Sequence, residues 1–146
     1  MSADVDPGRT RLLVAEDHPM VVMALDSAFE LVDDIDVIEI TRSIEDVIGA
    51  AGRYHPHVVL LDRRLPDGDG IDAIGQLHRA SPQSRVLVFT GDADQAMVDR
   101  VMAAGGAGLV LKTGMFDDLL NVIRRVAAGE KCFDVDLGFD RPRRRS

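Results

Sequence analysis

Cysteine is nearly absent: Cys132 is the only one, so no internal disulfide can form. One thiol fits a reducing compartment, and it cannot build a multi-cysteine metal site. Positive charge is in deficit, with a net charge of −8. A surface of that sign repels phosphate backbones, so the body of the chain is not expected to bind DNA by itself. Long apolar runs are also missing. The longest weakly polar stretch, Ala103 to Leu111, holds three glycines and is too short to span a bilayer. The opening "MSADVDPGRT" has neither a basic start nor an apolar core, so no signal peptide is expected there. The chain therefore reads as soluble and cytoplasmic, without a membrane partner. No G-x-G-x-x-G and no G-x-x-x-x-G-K-[ST] occurs, so the usual dinucleotide and P-loop sites are not indicated.

Hydrophobic residues make up 46% of the 146 positions, enough for one folded domain. They cluster in five short runs: Leu12–Ala15, Val37–Ile40, Val58–Leu61, Val86–Phe89 and Leu109–Leu111. Four are continuous, as in strands buried on both faces. Glu39 interrupts the second and marks it as an edge strand. Between the runs lie segments of helical period. Val22, Leu25, Phe29 and Val32 share one face behind Pro19. Ser43 and Asp46 resemble a capping box before Val47, Ile48 and Ala51. Ile71, Ile74, Leu77 and His78 form a third face. Asp92 and Gln95 open a fourth, carrying Val98, Val101 and Met102. Phe116, Leu119, Leu120, Ile123 and Val126 form a fifth, closed by Gly129.

Strand and helix alternate five times, which predicts a parallel sheet covered by helices on both faces. A closed eight-unit barrel would need more units. The fold expected is thus α/β, an open doubly wound five-stranded parallel sheet with five helices. Residues 1–9 read as a lead-in, 10–129 as the domain and 130–146 as a C-terminal tail or linker ending in "RPRRRS".

Ligands of open α/β sheets bind beyond the carboxyl ends of the strands. Glu16 and Asp17 follow the first run, Asp62 the third, Thr90 the fourth and Lys112 the fifth. Each has an ordinary alternative: a helix cap for Asp17, strand chemistry for Thr90, a solvated side chain for Lys112. Gathered on one rim, three carboxylates call for a hard cation, Mg²⁺ or Mn²⁺. His18, beside the acids, reads as a neutral loop or helix-start residue, with a ligand or a base as the alternative. His55 and His57 flank Pro56 at the opposite end of the sheet, in a loop. A carboxylate beside a cation and a lysine can act as a nucleophile toward a phosphoryl group. An aspartate-nucleophile phosphatase would place a second acid where Arg64 stands, which disfavours a Mg²⁺-dependent hydrolase.

"DRRLPDGDG", from Asp62 to Gly70, resembles the phosphoacceptor motif of the receiver domains of two-component response regulators. The similarity runs from about Arg11 to Gly129. It implies the flavodoxin-like, CheY-like strand order 2-1-3-4-5. It implies Asp62 as the phosphorylated residue and Glu16 and Asp17 as the acidic pair of the Mg²⁺ (or Mn²⁺) site. The Arg63 backbone carbonyl completes that site, Thr90 is the switch hydroxyl and Lys112 the partner lysine. "EDHP", "GLVLKTG" and "VIRRVAAGE" resemble the NarL/FixJ type, whose members usually carry a C-terminal helix-turn-helix. No such pattern follows Gly129, so the chain is expected to be a receiver cut from its output domain or a stand-alone one. The resemblance implies a sensor histidine kinase as phosphoryl donor, a possible homodimer, and DNA contact only through a helix-turn-helix domain. It also implies that the chain is not an enzyme: it assists its own phosphorylation and autodephosphorylation and turns over no metabolite.

Leu109 departs from the family, which often has Tyr or Phe three residues before the lysine as a switch side chain. With the missing output domain, this slightly favours a rival reading, a non-phosphorylated pseudo-receiver acting as an interaction module, which the intact acids and Lys112 oppose. Arg64 and Asp92 lie two residues past Asp62 and Thr90. They either pair as a lid that modulates phosphoaspartate hydrolysis or stand as two solvated charges.

Overall fold

The structure is a computed structural model and describes residues 8–133. Strand β1 (Thr10–Ala15) leads into helix α1 (Pro19–Phe29), β2 (Ile35–Thr41), α2 (Ile44–Tyr54) and β3 (Val58–Asp62). A hairpin of two short strands (Arg64–Leu65 and Gly68–Asp69) and a 3₁₀ turn (Gly70–Ala73) precede α3 (Ile74–Ala80). Then come β4 (Arg85–Thr90), α4 (Gln95–Ala104), β5 (Gly108–Leu111) and α5 (Phe116–Ala127). The five long strands form one parallel sheet in the order β2-β1-β3-β4-β5. That is the doubly wound order expected, with β2 at an edge.

Side-chain alternation explains why the central runs are apolar throughout. Leu13, Ala15, Val59, Leu61, Val86 and Val88 pack against α2, α3 and α4. Their neighbours Leu12, Val14, Val58, Leu60, Leu87 and Phe89 pack against α1 and α5. Each residue of a central strand meets one helical layer or the other, so no position is left for a polar side chain. The strands can turn polar only where they end, and there the acids, the hydroxyl and the lysine appear.

Helix starts follow local chemistry. Pro19 occupies the first turn of α1, where its missing N–H costs nothing. Ser43 caps α2 by accepting the Asp46 N–H at 3.1 Å. The hairpin adds a second cap: Asp67 accepts the N–H groups of Ile44 and Glu45 at 2.8 and 3.1 Å. Those two bonds hold the exposed Asp67 carboxyl below its usual pKa. α4 departs from the sequence reading. Its cap is Asp94, which accepts the Met97 N–H at 2.9 Å, and Asp92 lies in the preceding loop. An aspartate three residues before an N–H is the geometry a cap needs, and Asp94 with Met97 meets it.

The chain past the expected domain end at Gly129 stays close to the sheet. Gly129 turns the chain with φ of +101°, and Cys132 then forms a parallel bridge with Gly108 on the outer edge of β5. Cys132 donates to Ala107 O at 2.9 Å and accepts the Leu109 N–H at 3.1 Å. Its side chain is buried on the α1/α5 side, whereas Phe133 packs on the other. Residues 1–7 and 134–146, which hold most of the expected lead-in and tail, lie outside the described residues. Among the described residues no helix is long and apolar enough to cross a membrane.

Candidate functional site

Three adjacent strands end on one rim and deliver the site. Glu16 follows β1 and is fully buried; Asp62 closes β3 and is 2% exposed; Thr90 closes β4 and is buried. Lys112 follows β5, and its N–H donates to Thr90 O at 2.7 Å, which ties the ends of β4 and β5 together. The lysine ammonium stands 3.0 Å from Glu16 Oε1 and 3.1 Å from Asp62 Oδ2. Parallel pairing in register forces this convergence: Ala15 lies beside Leu61, and Asp62 beside Phe89.

The two acids differ in electrostatics. Burial raises the pKa of Asp62, and the neighbouring Glu16 charge raises it further; Lys112 and the Arg64 N–H only partly offset this. Burial also opposes the Glu16 charge. The His18 N–H, Lys112 and the His18 ring together outweigh it and hold Glu16 below the ordinary range. Asp62 is thus the carboxylate in excess of its neutralisation. Its Oδ2 and Glu16 Oε1 are buried without a well-formed hydrogen bond, despite the nearby ammonium. Two such oxygens fit a cation in the pocket, since a buried acceptor left unmade is costly.

Two positions differ from expectation. His18 Nδ1 lies 2.8 Å from Glu16 Oε2 and 3.7 Å from Asp62 Oδ2. One potential ligand atom from each of Glu16, His18 and Asp62 falls within 4.8 Å of the others. Asp17 is half-buried and is not in that group. The sequence reading placed His18 at a helix start, which is correct, since it is the N-cap residue of α1. The side chain makes no cap bond and turns to the acids, the side on which the ligand-or-base alternative would place it. Proximity to Glu16 in sequence was the one signal available.

The arginines separate. The Arg63 N–H donates to Phe89 O at 3.3 Å, and its carbonyl accepts the Gly70 N–H at 2.6 Å. Its guanidinium leans toward Asp69, 3.7 Å away. Any service of that carbonyl to a cation uses its second lone pair. Gly70 is required for this turn, because a Cβ there would collide with Asp62 O. Arg64 donates its N–H to Asp62 Oδ1 at 3.2 Å, and its side chain is exposed. Arg64 and Asp92 line one cleft of about 430 Å³ together with His18, Val21, Asp62, Thr90, Gly91 and Lys112. No ion pair joins Arg64 to Asp92 in this structure; both are exposed, and solvation competes with a weak surface pairing. Thr90 Oγ1 donates to Asp92 O at 3.0 Å. Leu109 is 1% exposed and packed in the core against the α4 side.

Residues 12–124 match the response regulator receiver domain family. Among curated proteins the chain is 32% identical over 130 residues to the uncharacterized transcriptional regulatory protein YvfU of Bacillus subtilis, covering 89% of this chain and 65% of that protein. It is 29% identical over 127 residues to the response regulator VraR of Staphylococcus aureus, covering 87% and 61%. The chain therefore spans less than two thirds of the length of these relatives. Among solved structures it resembles a LuxR-family two-component response regulator from Aurantimonas sp. SI85-9A1, with TM-score 0.83, 23% identity and coverage of 94% and 98%. It also resembles the non-phosphorylated receiver domain of RcsB from Escherichia coli, with TM-score 0.78, 25% identity and coverage of 87% and 99%. A parallel sheet that gathers Glu16, Asp62, Thr90 and Lys112 on one rim, inside a sequence matched from 12 to 124, places this chain in the response regulator receiver family of two-component systems.

Proposed function

We propose that the chain is a phosphorylation switch in which Asp62 accepts a phosphoryl group from a sensor histidine kinase. The observation that carries this reading is the Asp62 carboxylate itself, buried at the end of β3, 3.1 Å from Lys112 and short of a hydrogen bond on that oxygen. An Asp62 oxygen attacks phosphorus. The P–N bond of the kinase phosphohistidine breaks, and its electron pair returns to the imidazole. Lys112 neutralises charge on the transferred group. The Thr90 hydroxyl exchanges its bond to Asp92 O for a phosphoryl oxygen and so draws the β4–α4 loop inward. Glu16, Asp17 and Asp62, with the Arg63 carbonyl, would hold Mg²⁺ or Mn²⁺, which would supply charge neutralisation for the phosphoryl oxygens. The chain acts on no other substrate and works in the cytoplasm.

Output is proposed to be transcriptional. RcsB of Salmonella, 25% identical to this chain, has been solved on promoter DNA in the presence of a phosphomimetic. By that analogy DNA binding belongs to a helix-turn-helix domain, and the phosphorylated receiver pairs as a homodimer. A pseudo-receiver acting only through protein contacts is the second reading, favoured by the leucine at 109. Incubation with acetyl phosphate and Mg²⁺ separates the two. The switch reading expects a mass gain of one phosphoryl group, lost in Asp62→Asn and in EDTA. An unmodified parent protein refutes it.

A further inference from the structure

We propose that Asp62 also takes its phosphoryl group from small donors of the acyl phosphate class, and that the chain selects those with an acyl group longer than acetyl through an apolar cleft between α1 and α5. The inference rests on the reading that Asp62 is the phosphoacceptor, and goes beyond it in naming a donor class and the surface that selects it. The chain still modifies nothing but its own Asp62.

Two clefts adjoin at the mouth of the site. The polar one, of about 430 Å³, holds Asp62, Thr90 and Lys112. The other, of about 340 Å³, lies between α1 and α5. Val21 and Lys112 line both, so the clefts meet across these two side chains. The second is walled by Leu25, Phe89, Leu111 and Phe116, and among the described residues Lys112 is the only charged one that lines it. Its volume falls in the range of about 300–1,000 Å³ usual for small-ligand sites. Small side chains keep it open: Ala24 and Ala28 face it from successive turns of α1, where larger residues would fill the space. Met20 and Met115 form its rim and are 82% and 71% exposed. Methionine is unbranched and polarizable, so it moulds itself to a flexible apolar group.

Charge and apolarity together define the ligand. The Lys112 ammonium stands 3.1 Å from Asp62 Oδ2, at the end where a phosphoryl group would lie. Away from it the second cleft offers only apolar contact. A molecule that spans both is therefore anionic at one end and apolar at the other, with a short connection between. An acyl phosphate has that form. In the step, an Asp62 carboxylate oxygen attacks phosphorus and the P–O bond to the acyl carboxyl group breaks. The carboxylate leaves with the electron pair, and no proton moves. Straight-chain carboxylates are nearly alike as leaving groups, so lengthening the chain changes binding and leaves the chemistry as it was. Each methylene buried is worth up to about fourfold in affinity.

The test uses the full chain with Mg²⁺ and takes acetyl, butyryl and hexanoyl phosphate as probes, each below saturation, with the phosphorylated fraction followed by mass spectrometry. The second-order rate constant of the parent is expected to rise at least tenfold from acetyl to hexanoyl phosphate. Ala24→Phe fills the apolar cleft, and Met115→Glu puts a charge on its rim. Each should remove the dependence on chain length and leave the acetyl phosphate rate within twofold of the parent, which also shows that the variant is folded. Equal rates for the three donors in the parent overturn the inference while the switch stands. The same equality, in a parent that self-associates in sedimentation and loses this in both variants, assigns the cleft to a second copy and also overturns it. A chain-length dependence that survives both variants places the acyl group elsewhere, and the inference falls. If no donor labels the parent, the inference and the switch fall together.

Discussion

Asp62 and Glu16 sit on opposite sides of their ordinary pKa values, and this sets opposite signs for their effects on stability. Asp62 is raised, so its contribution is fully present below the unfolded value of about 3.9 and is lost as pH rises through the folded value. Asp62→Asn should therefore unfold at higher temperature than the parent at neutral pH in EDTA, with the gap closing on acidification. Glu16 is lowered, so its contribution is present above about 4.3 and lost as pH falls through the folded value. Glu16→Gln should be the less stable variant at neutral pH, and that gap should also close in acid. Thermal melts of the two variants from pH 7 to pH 3 check both; same-sign effects at neutral pH would refute the asymmetry. Arg64 and Asp92 belong to the same scale. Since no ion pair joins them, their alanine substitutions should change the phosphoprotein half-life additively, within about 0.3–0.5 kcal/mol in a double-mutant cycle. Strong coupling would show that phosphorylation brings the pair together.

Among the elements, β5 bears the departure from the family pattern. Leu109 is packed beside Val88, Val98 and Val101 in one core layer, so no open slot waits under Thr90 for a ring. Leu109→Tyr should overpack this layer and cost about 1–3 kcal/mol in urea unfolding. A tyrosine variant as stable as the parent would reveal space the packing does not show. The hairpin after β3 is the other telling element. "LPDGDG" reads as a turn from composition alone, but Asp67 reaches back to cap α2, and Gly70 lets the chain pass against Asp62 O. The phosphoacceptor is thus braced by a helix that precedes it in the chain.

For the molecule as a whole, the sheet edge beyond β5 is covered by the chain that follows α5. Gly108 permits that approach, since a Cβ there would lie 2.7 Å from Cys132 O and 3.1 Å from Leu87 Cδ1. Gly108→Ala should lift the Lys131–Phe133 segment, destabilise the domain by about 1–3 kcal/mol and expose the Cys132 thiol, which is now 2% accessible. Reaction with a thiol reagent under native conditions reads this directly. A thiol as slow as in the parent would mean that the segment adapts without leaving the edge. The same bridge ties the backbone of β5 at Gly108 to Cys132.

The five strands, the helices between them and the identity of the rim residues are legible in the chain's own pattern. Burial on two faces is written locally, as an unbroken apolar run, and a parallel sheet sends the ends of such runs to one side. Glu39 marked β2 as an edge for the same local reason. Which side chains meet is settled only once the elements pack. Lys112 lies far along the chain from Glu16, and their 3.0 Å contact depends on the register of β1, β3, β4 and β5 together. His18 joined the acids, Asp94 rather than Asp92 capped α4, and Cys132 returned to β5, each through a rotamer or a turn that no periodicity encodes. Apolar patterns report how much water a residue sees, a property spread over many positions. A polar contact is settled by one donor, one acceptor and a few tenths of an ångström, which only the folded chain supplies.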